Sequence, residues 1–173
     1  MPTPLTDEEL FCLQDCQTYP QYWRMRQAFE NGICPFCEVD RTYNRILFED
    51  DHVLAWAVPG QIKRKELAVQ LLVVPKRHAR FEWDLPASEW MSMRTALRFM
   101  AAHYDLAGGM SFTRFGNMSL NAGTVAHLHK NIWVPNGFGE VRIPIFKDPT
   151  HQERNRERAG WFSDRYEHGE VPV

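Results

Sequence analysis

The chain has 173 residues, 44% of them hydrophobic and 24% charged, with 20 Lys+Arg against 22 Asp+Glu. That length matches one domain with a core of its own, and the composition excludes a disordered tail, a collagen and a disulfide-dense miniprotein. A net charge of −2 argues against a whole-domain polyanion binder and leaves room for a local phosphate pocket.

No apolar run approaches the roughly 18 residues of a membrane span. Met1-Pro2-Thr3-Pro4 lacks the basic and apolar regions of a signal peptide, so a cytoplasmic protein without membrane or nucleic-acid partners is expected. Thr6-Asp7-Glu8-Glu9 reads as a capping box that starts a helix at Asp7. Pro20 is expected to interrupt that helix, and a second helical piece runs from Gln21 to Glu30, stopping at Asn31-Gly32. Ile46 to Phe48 and His52 to Val58 read as two strands around a Glu49-Asp50-Asp51 turn. Leu67 to Val74 is a nearly continuous apolar run, which suits a central strand covered on both faces.

Pro86 opens the clearest helix, where Trp90, Met93, Leu97, Met100, Ala101 and Tyr104 form one apolar stripe before Gly108-Gly109. Met110 to Ser119 and Ala126 to Val134 read as strands, and Val141 to Phe146 as a short last one. From Asp148 onward the chain is charged, and Arg154, Arg156 and Arg158 interleave with Glu153 and Glu157 as on an exposed helix face. Helix, sheet, helix, sheet predicts an α+β domain with an antiparallel sheet, a long packing helix and an extra N-terminal helical segment.

The four cysteines fall as Cys12 with Cys16 and Cys34 with Cys37. Cys34-x-x-Cys37 lets two thiolates reach one tetrahedral ion. A redox pair would open a helix directly after a strand, whereas this pair follows a helix stop, so zinc is the preferred reading over redox chemistry or free thiols. A closed site needs two more ligands from His52, His78, His103, His127, His129, His151 and His168. Cys12 and Cys16 lie one helical turn apart and read as small buried residues. Lys63-Arg64-Lys65 reads as a solvated basic loop, with a phosphate-facing role as the sharper alternative.

His127-Leu128-His129-Lys130-Asn131-Ile132-Trp133 carries the most chemistry. On a strand, residues 127, 129 and 131 share one face, which predicts two imidazoles and a carboxamide in a row. A neutral imidazole held in one tautomer is a nucleophile toward phosphorus, and an amide beside it donates to a phosphoryl oxygen. By spacing alone, a merely polar sheet face is the preferred reading, since HxH is a short motif.

Cys34-Pro35-Phe36-Cys37, Leu47 to Trp56 (LFEDDHVLAW), Leu71 to His78 (LLVVPKRH) and His127-Leu128-His129 occur in order, and together they resemble the histidine triad (HIT) superfamily. The resemblance spans Ile33 to Pro135. It implies a HIT-like domain over 33–147, flanked by an N-terminal helical extension (1–32) and a charged C-terminal extension (148–173). It further implies a structural zinc held by Cys34, Cys37, His78 and His127, with His129 as the nucleophile that forms a covalent nucleotidyl-histidine. Members are often homodimers, so a homodimer is one expected assembly.

Asn131 stands where the third triad histidine would be. This HxHxN pattern followed by Ile132-Trp133 resembles the branch of galactose-1-phosphate uridylyltransferases and dinucleoside-tetraphosphate phosphorylases, which carries Gln there. A carboxamide supplies no proton, which favours a phosphate leaving group over an amine. Asn117 and Thr124 match the superfamily's phosphate-side Asn and Ser. The expected activity is nucleotidyl transfer or hydrolysis at the α-phosphorus of a nucleotide or dinucleoside polyphosphate, a small-molecule partner. Ala57-Val58-Pro59 lacks the acid that many members use on the ribose, which keeps a catalytically silent nucleotide-binding protein as the alternative.

Overall fold

The computed structural model describes residues 12–60, 62–121, 123–141, 143 and 149–172. The chain divides into two compact units, one of Phe36–Phe115 and His127–Arg142, the other of Met1–Pro35, Gly116–Ala126 and Ile143–Val173. The start of the expected helix from Asp7 (residues 7–11) and most of the expected strand from Val141 to Phe146 lie outside the described residues; from residue 12 to 18 the chain makes only a 3-10 turn (Leu13–Asp15) instead of a helix, and Val141 and Ile143 are not in a strand.

The first unit is α+β. Strands β1 (Ile46–Glu49), β2 (Val53–Ala57), β3 (Leu67–Pro75), β4 (Met110–Arg114) and β5 (His129–Pro135) form one sheet in the order β1-β2-β3-β5-β4. Every neighbouring pair is antiparallel. The β1–β2 turn is closed by Asp50, whose carboxylate accepts from the backbone N–H groups of His52 (2.9 Å) and Val53 (2.8 Å). A first helix, α1 (Tyr19–Glu30), belongs to the other unit; α2 (Ala87–His103) packs on one face of this sheet, with Pro86 as its N-cap.

Period-two alternation decides what each face carries. Val53, Ala55, Leu71, Val73 and Ile132 point toward α2, where they enclose Met93, Ala96 and Met100. Each such side chain removed from water contributes about 1.5–3 kcal/mol for the larger residues. Leu54, Trp56 and Val74 point to the opposite face, with Phe36 packed against them. Ile132 faces α2, so its strand neighbours Asn131 and Trp133 face the other way, as does His129.

The second unit is built from a 3-10 turn (Leu13–Asp15), α1 (Tyr19–Glu30), one helical turn (Met118–Asn121) and α3 (Pro149–Glu167). Pro20 does not interrupt a helix. It lies in the first turn of α1, where an N–H has no intrahelical acceptor to lose, and Thr18 caps the helix by accepting from Gln21 N (3.3 Å). The region after Asp148 is more than a solvated face. Phe162 of α3 is buried against Tyr19 and Tyr22, and Asn155 is buried beside Asp15. Arg158, expected on the exposed side, is partly buried and donates from Nε to the carbonyl of Cys16 (2.9 Å). Cys16 is buried and Cys12 half-buried, and burial pushes the Cys16 thiol up.

Candidate functional site

Cys34, Cys37, His78 and His127 each present one ligand atom, and these atoms lie within 4.8 Å of one another. Cys37 Sγ is 3.4 Å from His78 Nδ1 and 3.5 Å from His127 Nδ1. A tetrahedral zinc with Zn–S of about 2.3 Å and Zn–N of about 2.0–2.1 Å has S–N edges of about 3.5 Å, so the spacing fits. The donor set fits as well. His127 Nε2 lies 2.8 Å from the carbonyl of Pro75, which places the ring proton on Nε2 and the lone pair on Nδ1, facing the sulfur.

The elements explain the convergence. His78 follows the end of β3, in a connection tied to α2 by Arg77, which forks onto the buried Glu89 carboxylate (2.9 and 3.1 Å). That hydrogen-bonded pairing holds the Arg77 guanidinium above its ordinary value. His127 comes from the bend before β5. The sequence placed it on the strand, but β5 begins at His129. Leu128 N–H donates to the carbonyl of Ala79 (2.7 Å), and this cross-link turns the chain just before the ladder starts. Both imidazoles nevertheless meet the same ring, since Phe36 lies edge-on to His127 (5.8 Å) and to His129 (5.0 Å).

His129 is half-buried at the start of β5, and its Nδ1 is 2.7 Å from the carbonyl of His127. A carbonyl only accepts, so Nδ1 carries the proton and Nε2 is the unprotonated ring nitrogen. Two residues on, along the same face, Asn131 is only 6% exposed. Among the described residues no hydrogen bond to its carboxamide is found, and its ladder neighbours Leu72 and Phe112 are apolar.

Asn117 and Thr124 belong to the second unit. Asn117 is exposed at the start of the turn Met118–Asn121, and Thr124 is half-buried with its carbonyl accepting from Cys12 N–H (3.0 Å). The strand expected from Met110 to Ser119 ends at Arg114 for this reason. In the basic loop, the Arg64 guanidinium lies 4.9 Å from the Trp133 ring centre, and Lys63 Nζ donates to the carbonyl of Leu67. The sequence reading missed Arg114, which pairs with His129 across β4 and β5. Only the ladder register reveals that position. The Phe36 contact had a signal, an aromatic set between the two cysteines.

No family profile matches the chain, and no curated protein does. Similar solved structures include a histidine triad protein from Clostridium difficile, at 23% identity and a TM-score of 0.47, covering 63% of this chain and 96% of that one. A HIT family hydrolase from Clostridium thermocellum is 22% identical with a TM-score of 0.47, covering 62% and 95%. A histidine triad nucleotide-binding protein from Candida albicans is 14% identical with a TM-score of 0.48, covering 76% and 97%.

Proposed function

We propose that this is a HIT-type protein that transfers or hydrolyses a nucleotidyl group through His129. The observation that carries the reading is the His129 ring itself, held through Nδ1 by the His127 carbonyl so that Nε2 is the nitrogen without a proton, the one that can act as nucleophile. In the step proposed, Nε2 bonds to the α-phosphorus while the bond to the leaving oxygen breaks. The electron pair departs on that oxygen, and the His127 carbonyl steadies the imidazolium that forms. Asn131 donates to a phosphoryl oxygen from the adjacent position on the same face. It has no proton to give, so the leaving group is one that departs as an anion, a phosphate. Water, phosphate or another acceptor then cleaves the P–N bond.

We also propose that Cys34, Cys37, His78 and His127 hold a structural zinc. All four positions would be filled by protein, so the ion would supply rigidity rather than a reactive water. The chain's own part is to fix the His127 backbone, whose carbonyl sets the tautomer of His129.

Intact-mass analysis after incubation with diadenosine tetraphosphate tests the reading. An adenylyl adduct is expected in the native protein and absent in His129→Ala. An adduct at full level in His129→Ala refutes the nucleophile assignment. The silent-binder reading, favoured by the acid-free Ala57-Val58-Pro59 segment, predicts stabilisation by a nucleoside monophosphate with no adduct and no turnover.

A further inference from the structure

We propose that Arg114 is the specificity-determining residue of this site, and that it selects substrates whose leaving group is itself a phosphate chain. The inference rests on the reading of His129 as nucleophile and goes beyond it by naming a charge that the sequence motifs do not contain.

Arg114 and His129 are direct partners in the antiparallel β4–β5 ladder, and directly opposed residues share a sheet face. The next pairs along the ladder confirm the alternation. Lys130 Nζ donates to Thr113 Oγ1 (2.9 Å) on the α2 side. Phe112, opposite Asn131, meets Trp133 edge-on at 4.9 Å on the other side. The Arg114 guanidinium is 5.7 Å from the Phe112 ring centre, so it leans from the His129 position toward Asn131. A planar cation therefore sits beside Phe112 on the same sheet face as His129 and Asn131, one strand over from both.

Chemistry defines what such a cation does. A guanidinium stays charged at any relevant pH, so it gives no proton to a departing amine or alkoxide. Its fork does match the paired oxygens of a phosphate. As His129 Nε2 bonds to the α-phosphorus and the P–O bond to the next phosphate breaks, the electron pair moves onto the departing phosphate oxygen, and Arg114 receives that charge. Nothing else is consumed, because a phosphate leaves without protonation. With Asn131 also unable to act as an acid, this site is built for phosphoanhydrides rather than phosphoramidates.

The test compares two substrates that share one adenylyl group, diadenosine tetraphosphate and the p-nitrophenyl ester of adenosine monophosphate. Arg114→Gln is expected to lower kcat/KM for the tetraphosphate about 10- to 100-fold further than for the ester. Arg114→Lys, which keeps the charge without the fork, is expected to restore part of that discrimination. Equal losses on both substrates, or none, overturn the proposal. If the native protein turns over neither substrate, the nucleophile reading has failed on its own terms. Arg114 is then judged by calorimetry on the full chain: Arg114→Gln and Arg114→Lys are expected to lower the ratio of ATP affinity to adenosine affinity, and an unchanged ratio overturns it.

Discussion

Replacing Asn131 with leucine separates what the site needs from what the fold needs. The carboxamide is 6% exposed, sits between Leu72 and Phe112, and has no hydrogen-bonding partner among the described residues. Burying an uncompensated amide costs about 1–3 kcal/mol in mutational series. Leucine has the same four side-chain heavy atoms and the same branching at Cγ, and carries no polar atom to strand. Asn131→Leu is therefore expected to stabilise the protein by about 1–2 kcal/mol. For a chain of this size that raises Tm by about 2–8 °C. The same variant loses a donor aimed at a phosphoryl oxygen, which is expected to slow adduct formation about 100-fold. Scanning calorimetry and time-resolved intact mass, run on one preparation, read the two effects together. A fall in Tm refutes the reasoning, because it means that the carboxamide serves the fold rather than a ligand.

Elemental analysis is expected to give about one zinc per chain, lost in Cys37→Ser together with a drop in Tm, since metal affinity here is folding energy; a native content near zero refutes the metal assignment. Gly109→Ala is expected to cost about 1–3 kcal/mol in urea unfolding. Its added Cβ would lie 2.6 Å from the Trp133 carbonyl oxygen, whereas Gly108→Ala meets nothing within 4 Å and serves as the control. Hydrogen bonds from Arg41, then Lys76, hold the Glu49 carboxyl down to about 2. A depressed carboxyl contributes stability that is fully present above its ordinary 4.5 and is lost as pH falls through about 2, so an NMR titration should find that low midpoint and Arg41→Ala should raise it.

The parts of the fold legible in the sequence were those in which local pattern and packing agree. Leu67–Pro75 is apolar on both faces because Leu71 and Val73 meet α2 while Val74 packs with Trp56 on the other side. The α2 stripe was readable because Met93 and Met100 enter the core at helical spacing. The Cys/His cluster was legible through motif order alone, although its four residues come from three separate stretches of chain. His127 was misplaced on a strand because alternation cannot foresee that Ala79 would bind the Leu128 N–H and bend the chain one residue short of the ladder. Arg158 read as solvent-facing because its acceptors, the Cys16 carbonyl and Asn155 Oδ1, lie on another turn and on its own helix, and only the first could never be inferred locally. Arg114 stayed hidden because register is a tertiary property.

The second unit gathers its core from both ends of the chain. Cys16, Tyr19 and Tyr22 are covered by Phe162, and Asp15 reaches Asn155 across about 140 positions of sequence. During synthesis, α1 emerges early and its Tyr19 and Tyr22 lack the cover of Phe162 until α3 has left the ribosome, whereas the strands β1 to β5 are complete well before then. Nascent chains halted before α3 should therefore carry a protease-sensitive segment around α1, and a chaperone that shields aromatic residues would find its binding site in Tyr19 and Tyr22 until α3 emerges.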